Sequence, residues 1–368
     1  IYLYDGIIRA KVIEVKPNVK AQIENSGTLS SRKGVNFPNT VINIEVITKK
    51  DEADIAWGVK NRVDYFAISF VQSAKDMRRA RELLGDYKGK LIAKIEKFDA
   101  VSNIDEIIET SDGIMVARGD LGIEVPYYDV PTIQKMLIKK SNAKGIPVIT
   151  ATQMLLSMTQ NERATRAEIS DVANAVLDGT DIVMLSEESA VGENPVNVVE
   201  TMHNIISQTE KIFDHEKRYK FTYLDEFDVI QATVTKLADD LSADGILSLT
   251  SSGNSARKMS RYRPITPLYT FAHDKETLTG LTALWGVEPI TTVKEAQASK
   301  MIQRMLRSLE KREILNKKGL YICTVGYPVG IPGSTNTIKI LTPSEIEFYL
   351  NFKENREKIK TEKKVNLA

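Results

Sequence analysis

Five short apolar runs, each closing on a polar group, recur in the chain at the spacing of one β-strand plus one helix. They read YFAISF (65–70), KLIAKIE (90–96), GIMVARGD (113–120), GIPVITAT (145–152) and DIVMLSEES (181–189). Their terminal groups are Ser69, Lys94 with Glu96, Arg118 with Asp120, Thr152 and Ser186. The steps from Ser69 to Glu96, Asp120, Thr152 and Ser186 are 27, 24, 32 and 34 residues. Parallel strands need a crossover of that length, usually a helix. In a parallel barrel every strand C-terminus opens on one face, so these side chains would converge on one pocket. Two carboxylates, a lysine and hydroxyls gathered there describe a metal-assisted site for an anionic substrate.

The bulk chemistry narrows the setting. A chain of 368 residues suits two or three domains. A net charge of +1 gives no bulk attraction to nucleic acid or to a membrane surface. The single cysteine, Cys323, excludes an internal disulfide framework and fits a reducing, cytoplasmic setting. In YICTV it reads as a small buried hydrophobe. No apolar run approaches a membrane span and no signal peptide is visible. The chain opens at Ile1 inside a strand pattern, so the expectation is that a partner strand is missing upstream.

The turn and period signals divide the chain. Residues 1–36 alternate in short runs broken by Asp5-Gly6, Asn25-Ser26-Gly27 and Lys33-Gly34, which is all-β chemistry. Over 37–216 the apolar runs alternate with helical stretches at 51–60, 73–84, 129–143, 165–177 and 195–215. Asp51 and Ser73 read as N-caps, and Pro195 suits a first helical turn. This gives five of the eight units of a barrel. A charged, aromatic connector follows at 217–228, and a second α/β region runs to 344. Its strands are expected at 245–250, 267–272, 287–292, 319–325 and 337–341, with helices near 229–242, 254–262, 275–284 and 295–311. Residues 345–368 read as a charged tail, with 353–364 a solvated helix end or disordered.

Each candidate residue has a plainer alternative. Glu96 and Asp120, at neighbouring strand tips, suit one hard divalent cation such as Mg²⁺, whose shell a substrate completes; separately each would be a solvated acid at a loop entrance. Lys94 shares a strand face with Glu96. An inward lysine stabilises negative charge developing on a substrate oxygen, or else snorkels to an edge. Ala117, Arg118 and Gly119 would turn backbone amides toward a carboxylate at the start of a short helix. Thr152 and Ser186 would hold substrate or an ordered water, or only cap the next helix. Glu187 and Glu188 read as a helix start. His203, His215 and His273 suggest neither a triad nor a metal. In the second region, Thr250, Ser251, Ser252, Gly253, Asn254 and Ser255 form a hydroxyl-rich turn before a helix, and GYPVGIPGSTNT (326–337), with Gly330, Gly333 and Ser334, forms a second glycine-rich loop. Together they would cradle a phosphorylated small molecule.

At these residues the chain resembles the pyruvate kinase family, from Asp5 to about Leu341. The segments that carry the resemblance are Arg32-Lys33-Gly34-Val35-Asn36-Phe37-Pro38, then AKIEK, SDGIMVARGDLG, ATQML, TRAEISDVANAVLDGTD and MLSEESAVG. The resemblance implies a (β/α)₈ barrel, a small β lid inserted after the third strand, and a C-terminal doubly wound α/β domain. Here the first three barrel strands and most of the lid would be absent, leaving a partial barrel and a lid remnant. With them would go the family's phosphate-gripping arginine and its K⁺ ligands. Lys94 is similar to the family's stabiliser of the enolate and the transferring phosphoryl group. Glu96 and Asp120 match its Mg²⁺ (or Mn²⁺) ligands. Gly119, Asp120 and Thr152 match positions that hold the phosphoenolpyruvate carboxylate, and the loops at 250–255 and 326–337 match its effector site. Two features depart from the family: Glu187 stands where many members carry Gly or Ala, and the charged extension is longer than usual.

The resemblance therefore implies phosphoryl transfer from phosphoenolpyruvate to ADP, giving pyruvate and ATP in glycolysis. It also implies a phosphorylated allosteric effector and a homotetramer, with the 368 residues by themselves inactive. Two other classes stay open at this point: a Mg²⁺-dependent enolate lyase on a barrel, and a non-catalytic module that binds effector.

Overall fold

The computed structural model describes residues 1–4, 6–31, 34–38, 40, 45–215, 221–295, 297–326 and 335–352. The chain divides into two units, Ile1–Phe213 and Asp214–Ala368.

The first unit opens with four short strands, β1 (Tyr2–Leu3), β2 (Ile8–Glu14), β3 (Lys20–Ile23) and β4 (Val35–Asn36). They form an antiparallel sheet in the order β3-β2-β1-β4. Strand and helix then alternate: α1 (Lys49–Lys60), β5 (Tyr65–Ile68), α2 (Ala74–Leu84), β6 (Lys90–Ile95), α3 (Phe98–Ser102), α4 (Ile104–Thr110), β7 (Gly113–Ala117), α5 (Arg118–Glu124), α6 (Val130–Lys144), β8 (Val148–Ala151), α7 (Arg166–Asp178), β9 (Ile182–Val183), α8 (Glu187–Ala190) and α9 (Pro195–Glu210). The five later strands make one parallel sheet in chain order, β5-β6-β7-β8-β9, with β5 and β9 at its edges.

Strand period decides which side chains face which way. Leu91, Ala93, Ile95, Ile114, Val116 and Val148 pack into the core beneath α1, α2, α4 and α6. Ile92, Met115 and Ala151 form a separate cluster on the opposite face. Lys94 belongs to that second face, being in register with Met115. The expected inward lysine is thus set by alternation alone.

Local signals place most helix ends. Ser73 caps α2, its N–H donating to Asp76 Oδ2 at 2.9 Å. Asn194 caps α9, with Pro195 at the first helical position. Asp51 corrects the sequence reading: α1 begins at Lys49, Thr48 is its N-cap, and Asp51 is the reciprocal member of the capping box. Thr48 N–H donates to Asp51 Oδ2 at 2.7 Å and Asp51 N–H to Thr48 Oγ1 at 3.3 Å. Threonine and aspartate three apart satisfy each other, so the cap lies at the earlier residue.

The second unit runs α10 (Glu226–Asp240), β10 (Gly245–Thr250), α11 (Asn254–Ser260), β11 (Leu268–Ala272), α12 (Lys275–Thr279), β12 (Val287–Thr292), α13 (Ala298–Lys311), β13 (Tyr321–Gly326), β14 (Thr335–Leu341) and α14 (Pro343–Leu350). Its sheet has the order β12-β11-β10-β13-β14, parallel except for β14. The chain starts at the middle strand, winds one way to β12 and then crosses to β13, which is a doubly wound arrangement. Alternate residues feed two cores: Ile246 and Ile322 one, Leu247 and Cys323 the other. Packing continues past residue 344, because Ile346 and Leu350 of α14 are buried in the second of these cores. Helix α10 starts at Glu226, inside the expected connector, capped by Asp225, whose Oδ1 accepts from Asp228 N–H at 2.8 Å. Helix α12 ends at Thr279, earlier than its pattern suggested. No helix among the described residues is long and apolar enough to cross a membrane.

Candidate active site

The C-terminal ends of β5, β6 and β7 bring four of the expected residues together. Lys94 Nζ lies 2.6 Å from Glu96 Oε1 and donates to Ser69 Oγ at 3.0 Å. Glu96 is almost wholly buried, and its Oε2 accepts from Phe70 N–H at 2.6 Å. Phe70 sits at φ +55°, a left-handed conformation that turns its amide toward the carboxylate. Burial pushes the Glu96 carboxyl above the usual range; Lys94 and the Phe70 amide oppose this, and the negative charge of Asp120 adds to it. Asp120 lies in the first turn of α5, immediately after β7. It lines a cavity of about 770 Å³ together with Ser69, Phe70, Lys97 and Glu124.

Two carboxylates that feel each other's charge, one of them buried, concentrate negative charge beside Lys94. The donors are all hard oxygens, which suits Mg²⁺ or Mn²⁺ with water and substrate filling the remaining positions. No cluster of three or more His, Cys, Asp or Glu with metal-site geometry occurs among the described residues. The pair therefore fits a shared, substrate-completed cation and not a closed protein cage.

The end of β7 is organised by β8. Gly119 N–H donates to Thr152 Oγ1 at 2.9 Å, and the same hydroxyl donates to Ala151 O at 2.7 Å. Thr152 holds φ +69° and Gln153 φ +54°. Ala117 is buried and precedes the first turn of α5. The Arg118 guanidinium turns toward β8 and α7: it donates to Thr152 O at 2.5 Å and pairs with Asp171 Oδ2 at 2.6 Å. Its side chain thus ties down the strand end, and the Gly119 amide is taken by Thr152. Ser186 stands beyond β9 with its hydroxyl buried and without a hydrogen-bond partner among the described residues. Its N–H donates to Glu188 Oε2 at 2.8 Å, and Glu188 Oε1 accepts from Leu155 N–H at 3.1 Å.

Sequence reasoning missed three residues here. Glu188 does lie in the first turn of α8, as read, but it is also fully buried. Lys97 and Glu124 form a buried ion pair at 3.4 Å. The available signal was spacing: Glu124 is four residues after Asp120 on one helix face, and Lys97 adjoins Glu96.

In the second unit, Thr250 ends β10 and its Oγ1 accepts from Gly253 N–H at 2.9 Å. Gly253, at φ +84°, precedes Asn254 and Ser255 at the start of α11, and Ser252 is exposed. The turn lies at the switch between β10 and β13, where doubly wound sheets commonly take ligands. Gly330, Gly333 and Ser334 of the second loop lie outside the described residues.

Comparison with known families accounts for both units. Residues 1–199 match the family described as pyruvate kinase, barrel domain, and residues 228–341 that described as pyruvate kinase, alpha/beta domain. Pyruvate kinase of Bacillus licheniformis is 41% identical over 356 residues, covering 94% of this chain and 61% of the relative. That of Geobacillus stearothermophilus gives the same identity and coverage. Pyruvate kinase of Clostridium acetobutylicum is 40% identical over 348 residues, covering 92% of this chain and 74% of the relative. The chain spans about three fifths of the length of the first two relatives. With both halves matched and two fifths of its residues identical to these relatives, the chain belongs to the pyruvate kinase family.

Proposed function

We propose that the chain supplies the Lys94, Glu96, Asp120 and Thr152 side of an active site that transfers the phosphoryl group of phosphoenolpyruvate to ADP. The observation that carries this is a lysine on the inward face of a parallel sheet, 2.6 Å from a buried glutamate and next to a second acid. Lys94 approaches a substrate oxygen and stabilises the charge that develops as the phosphorus–oxygen bond breaks and the enolate forms. Glu96 and Asp120 would hold Mg²⁺ (or Mn²⁺). When bound, the cation neutralises charge on the transferring group and on the enolate oxygen.

The Thr152 hydroxyl already gives one bond and accepts one, and keeps one lone pair for a substrate group or water. The Ser186 hydroxyl, without a partner among the described residues, calls for a water that delivers the proton to the enolate carbon and completes pyruvate. The K⁺ ligands are not assigned to any residue here. The same reading places a phosphorylated effector at Thr250–Ser255 and makes the assembly a cytoplasmic homotetramer. The described residues give five parallel strands where a closed barrel has eight, so the 368 residues by themselves are expected to turn over no substrate.

The test is pyruvate formation with Mg²⁺ and K⁺ by a chimera that joins these residues to the part of the Clostridium acetobutylicum relative they do not match. Turnover that needs both phosphoenolpyruvate and ADP supports the reading. A folded, metal-binding chimera that produces no pyruvate overturns it.

A further inference from the structure

The ion pair of Lys97 and Glu124 stands where an ordinary core would be apolar. Their side chains are 8% and 3% exposed, with Nζ 3.4 Å from Oε2. That Oε2 is buried and accepts no hydrogen bond from a described residue, so Lys97 balances its charge. Buried pairs of this kind rarely stabilise a fold more than well-packed apolar residues would. What the pair joins is more informative. Lys97 immediately follows Glu96 where β6 runs into α3. Glu124 is the last residue of α5, one turn beyond Asp120 on the same face. One bridge therefore connects the two segments that carry the two carboxylates.

We propose that Lys97 and Glu124 are positioning residues: their pair clamps α5 to the end of β6 and sets the separation of Glu96 and Asp120 for a divalent cation. The inference rests on the metal role given above to those two acids. Their like charges push the segments apart when no cation is present. A charged clamp behind them resists that push, and at metal sites such supporting contacts typically govern affinity by about 10–100-fold.

The sign of one effect separates positioning from simple electrostatics. Removing the Lys97 charge makes the site more negative, so field alone would tighten cation binding. A lost clamp weakens it. The experiment is calorimetric titration of Mn²⁺ into the 368-residue chain, with thermal unfolding in metal-free buffer run alongside. Lys97→Met should weaken Mn²⁺ binding about tenfold or more, and Lys97→Arg should restore it. A double variant, Lys97→Met with Glu124→Leu, removes both buried charges, so it should fold as well as the parent yet bind Mn²⁺ as poorly as Lys97→Met. Unchanged or tighter binding in Lys97→Met or in the double variant overturns the clamp and leaves the metal site standing. The metal site has its own arm: Asp120→Asn should abolish binding. If Asp120→Asn binds as the parent does, or the parent does not bind Mn²⁺, the metal site falls and the clamp with it.

Discussion

Thr152 is a β-branched residue at φ +69°, a conformation that costs about 1–3 kcal/mol and persists only where the surroundings enforce it. Its hydroxyl links Gly119 N–H to Ala151 O and so joins the end of β8 to the first turn of α5. Thr152→Val keeps the shape and leaves the Gly119 amide without its acceptor. The expected loss is about 1–3 kcal/mol in urea unfolding, while Thr152→Ser stays near the parent. Equal stability of the valine variant would show that the hydroxyl is dispensable. Lys94 poses a different question, because its charge is expected to act on the transition state. In the active chimera, Lys94→Met should lower kcat by about 10²–10³ and leave KM for phosphoenolpyruvate little changed. The variant also leaves Glu96 buried with the Phe70 amide as its one remaining donor among the described residues, so its unfolding midpoint has to be measured with its kinetics. A near-normal kcat would remove the lysine from the mechanism.

At the scale of elements, Asp112 ties α2, β6 and β7 together before the strand begins. It accepts from Leu91 N–H at 2.9 Å, pairs with Arg81, and lies 3.7 Å from Lys90 Nζ. Burial pushes its carboxyl up, but the Leu91 amide and the two cations outweigh burial and hold it below its usual 3.8. A depressed acid contributes stability that is fully present above its unfolded pKa and is lost as pH falls through its folded one. Asp112→Asn should therefore cost about 1.5–3 kcal/mol at pH 7, a cost that shrinks once the pH drops below about 4. Thermal midpoints of both proteins across pH 2–7 check this, and a pH-independent difference would exclude the charge as its source.

The elements themselves were legible wherever period and caps agreed. Strands 245–250 and 287–292 fall where alternating apolar runs put them, and Lys94 faces Glu96 because residues two apart on a strand must. Charged residues that are buried through distant partners were not legible. Asp228, in the stretch read as a connector, is fully buried against Arg261 and Tyr262, 33 and 34 residues away. The pair Lys97–Glu124 has the same origin. Local pattern marks such residues as solvated, and only tertiary contact reverses that.

At the scale of the whole molecule, the second unit carries its own sheet with a core on each face. That is the usual basis for independent folding. Residues 214–352 expressed alone should give α/β circular dichroism and one cooperative unfolding transition; a broad, non-cooperative loss of signal would refute autonomy. The chain's single cysteine gives this unit a private timekeeper. Cys323 is fully buried on β13, between β10 and β14, and burial pushes its thiol up to about 12. A disulfide reagent in neutral buffer therefore meets neither an accessible sulfur nor a thiolate. Labelling has to wait for the sheet to part, so its rate counts openings of the second unit and is blind to the first. Addition of urea below the unfolding transition should speed labelling in proportion to the surface each opening exposes, and a fast, urea-independent rate would mean that the sulfur is reached by some smaller breathing motion.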